Sequence, residues 1–152
     1  MAEALNFPST TPNTGAPLLF SGQAQREFIL NQTLSTIDAL LMGTVEASLA
    51  AAPENATDGQ CFRISANSTG EWQNKEGQLA VRIGGGWHYV EPTEGLEVYD
   101  KAAGQKLLYK SGWLAAAAPT LPAGGGVIDT EMRTVFGELI QALRNIGVFT
   151  DS

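Results

Sequence analysis

Histidine and cysteine are almost missing from this 152-residue chain, which has one of each. His88 alone cannot make a paired-histidine zinc site, and no cysteine–histidine cluster exists. Cys61 has no partner for an internal disulfide; it is expected as a small apolar strand residue in a reducing compartment. Charge is scarce as well, at 16% of residues, and basic charge scarcer still: nine Lys and Arg against sixteen Asp and Glu, net −7. With no basic cluster, a nucleic-acid partner is not expected. No apolar run approaches the roughly 18 residues of a membrane span. The opening Met1-Ala2-Glu3-Ala4 has neither the basic nor the apolar stretch of a signal peptide.

Catalytic signatures are equally thin. No Gly-x-Ser-x-Gly elbow precedes His88, which sits between Trp87 and Tyr89 and reads as a strand surface residue. Gly84-Gly85-Gly86 lacks the spacing and the following helix of a phosphate cradle. Gly124-Gly125-Gly126 precedes a helix but has no Lys-Ser/Thr after it. Glu94 and Glu97 read as turn and strand surface charges. No catalytic, cofactor or metal residue is assigned, and an enzyme is not expected.

What is present is apolar periodicity. From Ser21 the spacing predicts one long amphipathic helix, reaching about Leu49. Leu30, Leu34, Ile37, Leu41, Val45 and Leu49 recur at threes and fours, which places them on one face. Ser21 is its expected N-cap, and Gly43 its weak point, where it can bend or end. Asn31 lies beside the apolar face, either as a solvated residue or as a polar register-setter between helices. Ahead of it, residues 1–20 read as an extended arm. Phe7 to Pro17 holds three prolines and four Ser or Thr, and each proline biases its predecessor to extended backbone.

Beyond Asp58-Gly59, short strands alternate with turns. Phe62 and Ile64 share one face; so do Leu79, Val81 and Ile83. Trp87 to Val90, Leu96 to Tyr99, Lys106 to Lys110 and Trp113-Leu114 come next. Six or so such strands read as a small antiparallel meander or open barrel, covered on one face by the first helix. The expected class is therefore α+β: residues 21–114 form helix plus β module, 115–127 an Ala/Pro/Gly linker, and 128–147 a C-terminal helix. In that helix Asp129 is the expected N-cap and Gly147 the residue just past its end. Met132, Phe136, Leu139, Leu143 and Ile146 are spaced 4, 3, 4, 3, a heptad seam. A lone helix of this length is marginal in water. Its alternatives are docking on its own β module or pairing with copies of itself, and the seam favours the copies.

Aromatic residues gather between 72 and 113, where Trp72, Trp87 and Trp113 each follow a glycine turn. With Tyr89 they are either core or a stacking surface for glycan or protein.

The run Gly15-Ala16-Pro17-Leu18-Leu19-Phe20-Ser21-Gly22-Gln23-Ala24-Gln25-Arg26-Glu27, then Asn31-Gln32-Thr33-Leu34 and Ile37-Asp38-Ala39-Leu40, resembles the opening of a small domain family of unknown biochemical function. Asp58-Gly59-Gln60, Thr69-Gly70-Glu71-Trp72, Glu76-Gly77-Gln78-Leu79-Ala80, Gly85-Gly86-Trp87 and Lys110-Ser111-Gly112-Trp113 continue the resemblance through about residue 114. It departs at Asn74, where glycine is frequent, and at Leu96, where an aromatic is common. The family occurs in structural proteins of alphaproteobacterial tailed phages and gene transfer agents. The resemblance implies a virion component, at a tail fibre, tail tip or head spike, and no catalytic residues. The apolar seams make copies of the chain the first expected partner, trimer favoured, through Leu30, Leu34, Ile37 and Leu41 and through the C-terminal seam; a virion role adds other virion proteins through the arm; and the Trp/Tyr set makes host surface polysaccharide the alternative partner. Assembly into a virion, after synthesis in a bacterial cytoplasm, is the expected localisation.

Overall fold

A computed structural model of the chain describes residues 9–19, 22, 26–121, 124 and 129–150. It is α+β and divides into two units, Met1–Pro92 and Thr93–Ser152.

In unit 1, helix α1 (Arg26–Leu41) ends where Gly43 takes φ +59°, left-handed backbone that breaks the helical path. The predicted continuation to Leu49 is therefore corrected. Thr44–Val45 (β1) and Ser48–Leu49 (β2) are extended instead. Glycine tolerates the left-handed turn, and the β-branched Thr44 and Val45 favour extended backbone directly after it. The expected N-cap Ser21 lies outside the described residues.

Strands β3 (Cys61–Ile64), β4 (Leu79–Ile83) and β5 (Gly86–Val90) join β2 in the order β2-β3-β4-β5. Ser48 and Leu49 pair in parallel with Arg63 and Ile64, and the remaining pairs are antiparallel. On one face Phe62, Ile64 and Ala80 enclose Trp72, which sits in a one-turn helix over Gly70–Trp72. The other face belongs to α1: Val81 pairs with His88, and Gln32 of α1 meets the His88 ring. Covered on both sides, β4 buries Leu79, Ala80 and Val81 in succession rather than in the expected alternation.

In unit 2, β6 (Glu97–Asp100), β7 (Gln105–Tyr109) and β8 (Trp113–Ala115) pair antiparallel in sequence. The strands thus divide between two sheets instead of forming one meander or barrel. Helix α2 (Thr130–Asn145) starts on Asp129, whose Oδ1 accepts from the Met132 amide at 2.8 Å. It ends with Val148 N donating to Leu143 O and Gly147 N to Arg144 O, at 2.9 and 2.8 Å. This is a Schellman closure with Gly147 at φ +73°. Lys106 N donates to Gly147 O, tying the closure to β7. A Cβ at Gly147 would stand 2.8 Å from the Tyr99 ring.

Candidate interaction site on the helices

Helix α1 is turned the opposite way from a soluble amphipathic helix. The side it buries carries Glu27, Ser35, Asp38 and Ala39. The side it exposes carries Leu30, Ile37 and Leu41, with Leu41 67% exposed, and Phe28 and Ile29 of the first turn are exposed as well. Leu34 is half-buried at the border. An apolar helix face left in water is costly, at roughly 25 cal/mol per Å². Something must hold the polar side inward.

That something is the N-terminal segment. In the residues described it is not an extended arm. Thr10 bridges Pro17, and the chain between them closes into a tight loop whose donors point at one carboxylate. Asp38, 3% exposed, accepts from Thr11 Oγ1 at 2.9 Å, Asn13 N at 2.9 Å, Thr14 N at 2.7 Å and Thr14 Oγ1. Burial works to raise its pKa. The hydrogen bonds from Thr14, Asn13 and Thr11 outweigh that and hold it down at about 2.

Two turns away, Asn31 accepts from Leu19 N at 2.8 Å and donates to Leu19 O at 3.0 Å. Its amide stands in for a paired strand. Asn31 is thus engaged by the Leu19 backbone of its own chain rather than by solvent alone. Pro12 packs where a Cβ on Gly59 would be, 2.3 Å from the proline Cγ, and Asn13 donates to Gly59 O. The polar inner stripe of α1 and the loop satisfy each other, and the apolar stripe is left facing out.

Helix α2 exposes its heptad seam as well. Met132, Phe136, Leu139 and Ile146 are exposed, Met132 at 63%, and Leu143 is half-buried. Ile140 is the buried residue of the helix. Val135 widens the exposed apolar strip.

The aromatic set is not brought into one surface. Trp72 is fully buried, its ring 5.1 Å from Trp87 and 6.1 Å from Phe62, which removes it from any stacking surface. A core in which aliphatics are few is filled by large rings. Trp87 is half-buried under the Arg82 guanidinium, and Tyr89 donates its hydroxyl to Glu71 O at 2.9 Å. Trp113 belongs to unit 2, edge-on to Tyr109.

A groove of about 540 Å³ lies beside α1 in unit 1, walled by Leu18, Leu19, Phe28, Ile83 and His88. The Gln32 amide stands 2.9 Å from His88 Nδ1, and the Asp58 carboxylate accepts from the Gly84 and Gly85 amides. Among the described residues no three His, Cys, Asp or Glu side chains converge on a metal-sized site. Burial, then Glu46, pushes the Cys61 thiol up to about 12, so it is inert as a nucleophile.

Sequence reasoning missed Asp38 and its cage. The signal was there: Asp38 is the one charged residue between Phe28 and Met42, and a Thr-Pro-Asn-Thr-Gly run carries hydroxyls and amides that suit a carboxylate.

Residues 30–114 match a family described as a protein of unknown function, DUF2793. The chain belongs to the DUF2793 family. No curated protein matches it. The match begins inside α1 and ends in β8, so it spans the strands of both units and leaves α2 outside. No helix among the described residues is long and apolar enough to cross a membrane.

Proposed function

We propose that this DUF2793 chain is a structural subunit of a phage or phage-like particle, at a tail fibre, tail tip or head spike. It works as a homo-oligomer, with three copies favoured. The particle role is supported by the sequence resemblance, and the observation that supports the oligomer is the pair of exposed apolar helix faces, Leu30-Ile37-Leu41 on α1 and Met132-Phe136-Leu139 on α2 with Ile146 at its C-cap. Neither spacing nor charge suits a soluble monomer. Both faces keep the heptad intervals by which helices pack on copies of themselves. On α1 the charged residues between Phe28 and Met42 reduce to Asp38, which is buried, so the outer face carries no charge. Chains of net −7 repel one another, and an uncharged apolar face is where such copies can meet. Attachment to other particle proteins through the N-terminal segment belongs to the same proposal.

The test of the particle role is imaging: particles from a producing bacterium, labelled with antibody to this chain. Label at the tail or head vertex is the expected result. Intact particles without label, beside free protein in the lysate, would overturn it.

A further inference from the structure

The groove beside α1 holds a carboxylate that its own chain uses only in part. Glu27 lines it from the first turn of α1 and is 5% exposed. A carboxylate suits that turn, where free amides and the helix dipole favour negative charge. Its Oε1 accepts from Gly22 N at 3.0 Å. Its Oε2 is buried and meets no partner among the described residues. The helix end therefore accounts for one oxygen of the pair. An unmet buried acceptor is costly, and more so when it carries charge.

The other charged residues of the groove are engaged elsewhere. Both Asp58 oxygens accept, from the Gly84 and Gly85 amides. Arg82 pairs with Trp87 of β5, and its guanidinium lies over that ring, 5.1 Å from the centroid. Side chains alternate along β4, so Arg82 leaves on the face opposite Val81 and Ile83, away from α1. With the Gln32 amide nitrogen donating, His88 Nδ1 accepts and the ring carries no positive charge. The remaining walls are mainly apolar, with Leu18, Leu19, Phe28 and Ile83.

We propose that this groove binds a small primary amine with an apolar body, its ammonium on the Glu27 carboxylate and its hydrocarbon part against Leu19, Phe28 and Ile83. An ammonium meets both the lone pair and the charge of the carboxylate. A hydroxyl meets only the lone pair, and the charge-assisted bond is the stronger. The last torsion of a Glu side chain is soft, which lets Oε2 turn toward an entering cation. At about 540 Å³ the groove has the size of a small-molecule site. A single water takes roughly 30 Å³. The chain's net charge of −7 draws cations toward it and repels anions. The site lies within unit 1 and depends neither on the particle role nor on self-association.

The test titrates the full chain at neutral pH with n-hexylamine and, separately, with n-hexanol. His88 lines the groove and is the sole histidine, so its ring gives one set of NMR signals at the site. Hexylamine is expected to shift those signals saturably, with an affinity about 10-fold or more above that of hexanol. Glu27→Gln is expected to abolish this preference and leave the hexanol affinity in place. Phe28→Ala changes an exposed wall residue; it is expected to weaken both ligands alike and keep the preference. Hexylamine that leaves the His88 signals unmoved, or binds no better than hexanol, overturns the proposal. So does a Glu27→Gln chain that still prefers the amine. If circular dichroism shows that Glu27→Gln does not fold, the other two proteins decide. Amine preference in the unsubstituted chain, with both ligands weakened by Phe28→Ala, supports the site; equal binding, or no weakening, overturns it.

Discussion

Helices α1 and α2 are each sixteen residues long, and both leave an apolar seam in water, but they reach that state by different routes. In α2 the sequence is openly amphipathic, and among the described residues it is tied to its own unit by the buried Ile140, by Arg133 donating to Gly124 O and by the Gly147 closure. In α1 the apolar face is outside because the polar face has been claimed. The loop at residues 9–19 needs Asp38 and Asn31, and it holds the helix to that rotation. The difference teaches that an exposed apolar face can be the by-product of a polar recognition made on the opposite side.

The largest effects should come from charging the seams. Ile37→Asp in α1 and Leu139→Asp in α2 are each expected to weaken self-association by about 30-fold or more, on the order of 2 kcal/mol. Each should leave helicity by circular dichroism unchanged, because both positions are exposed in the single chain. If one seam tolerates Asp and the other does not, the two helices have different jobs.

Next come the glycines that anchor each helix. Gly59→Ala would drive a methyl into Pro12, and Gly147→Ala one into the Tyr99 ring, both at positive φ. Each is expected to cost roughly 2 kcal/mol or more. Hydrogen exchange should show protection lost around α1 in the first and around the end of α2 in the second. Loss in the other helix would break the comparison.

Asp38→Asn keeps one accepting oxygen but removes the charge and replaces the other oxygen with a donor, so the bonds to Oδ1 and to Oδ2 cannot both be made. Its folded pKa, about 2, lies below the ordinary 3.8. The carboxylate therefore stabilises fully above about pH 4, and the gain drains away as pH falls from about 4 to about 2. At neutral pH the gain is roughly 2 kcal/mol. Urea titrations of both proteins should differ by that amount at pH 7 and converge toward pH 2. A constant gap would place the effect elsewhere than in ionisation. The smallest effect is Asp129→Ala, about 1 kcal/mol of α2 stability through the lost cap on Met132, visible as earlier fraying of the first turn.

Much of this was legible in the sequence where local rules decide. Asp129 as cap and Gly147 as closure of α2 follow from the chemistry of helix ends. So does the turn at Asp58-Gly59. The α1 boundary was legible only as one alternative: Gly43 stood out as a place where the helix can end, and it does at φ +59°, but aliphatic spacing running on through Val45 and Leu49 favoured continuation. The facing of α1 was not legible. Periodicity locates an apolar stripe but not which stripe is buried, and here a loop's hydrogen bonds chose the other one. Trp72 shows the same limit: its glycine turn was visible, but its burial depends on Phe62, Ile64 and Ala80 arriving from separate strands.

The central claim is that both seams lie between copies of the chain. Sedimentation equilibrium of the full chain across micromolar concentrations tests it most directly. The account predicts a mass of several chains, three favoured, which falls to one when Ile37→Asp and Leu139→Asp are combined. A mass of 16.1 kDa, a single chain, at every concentration would contradict it.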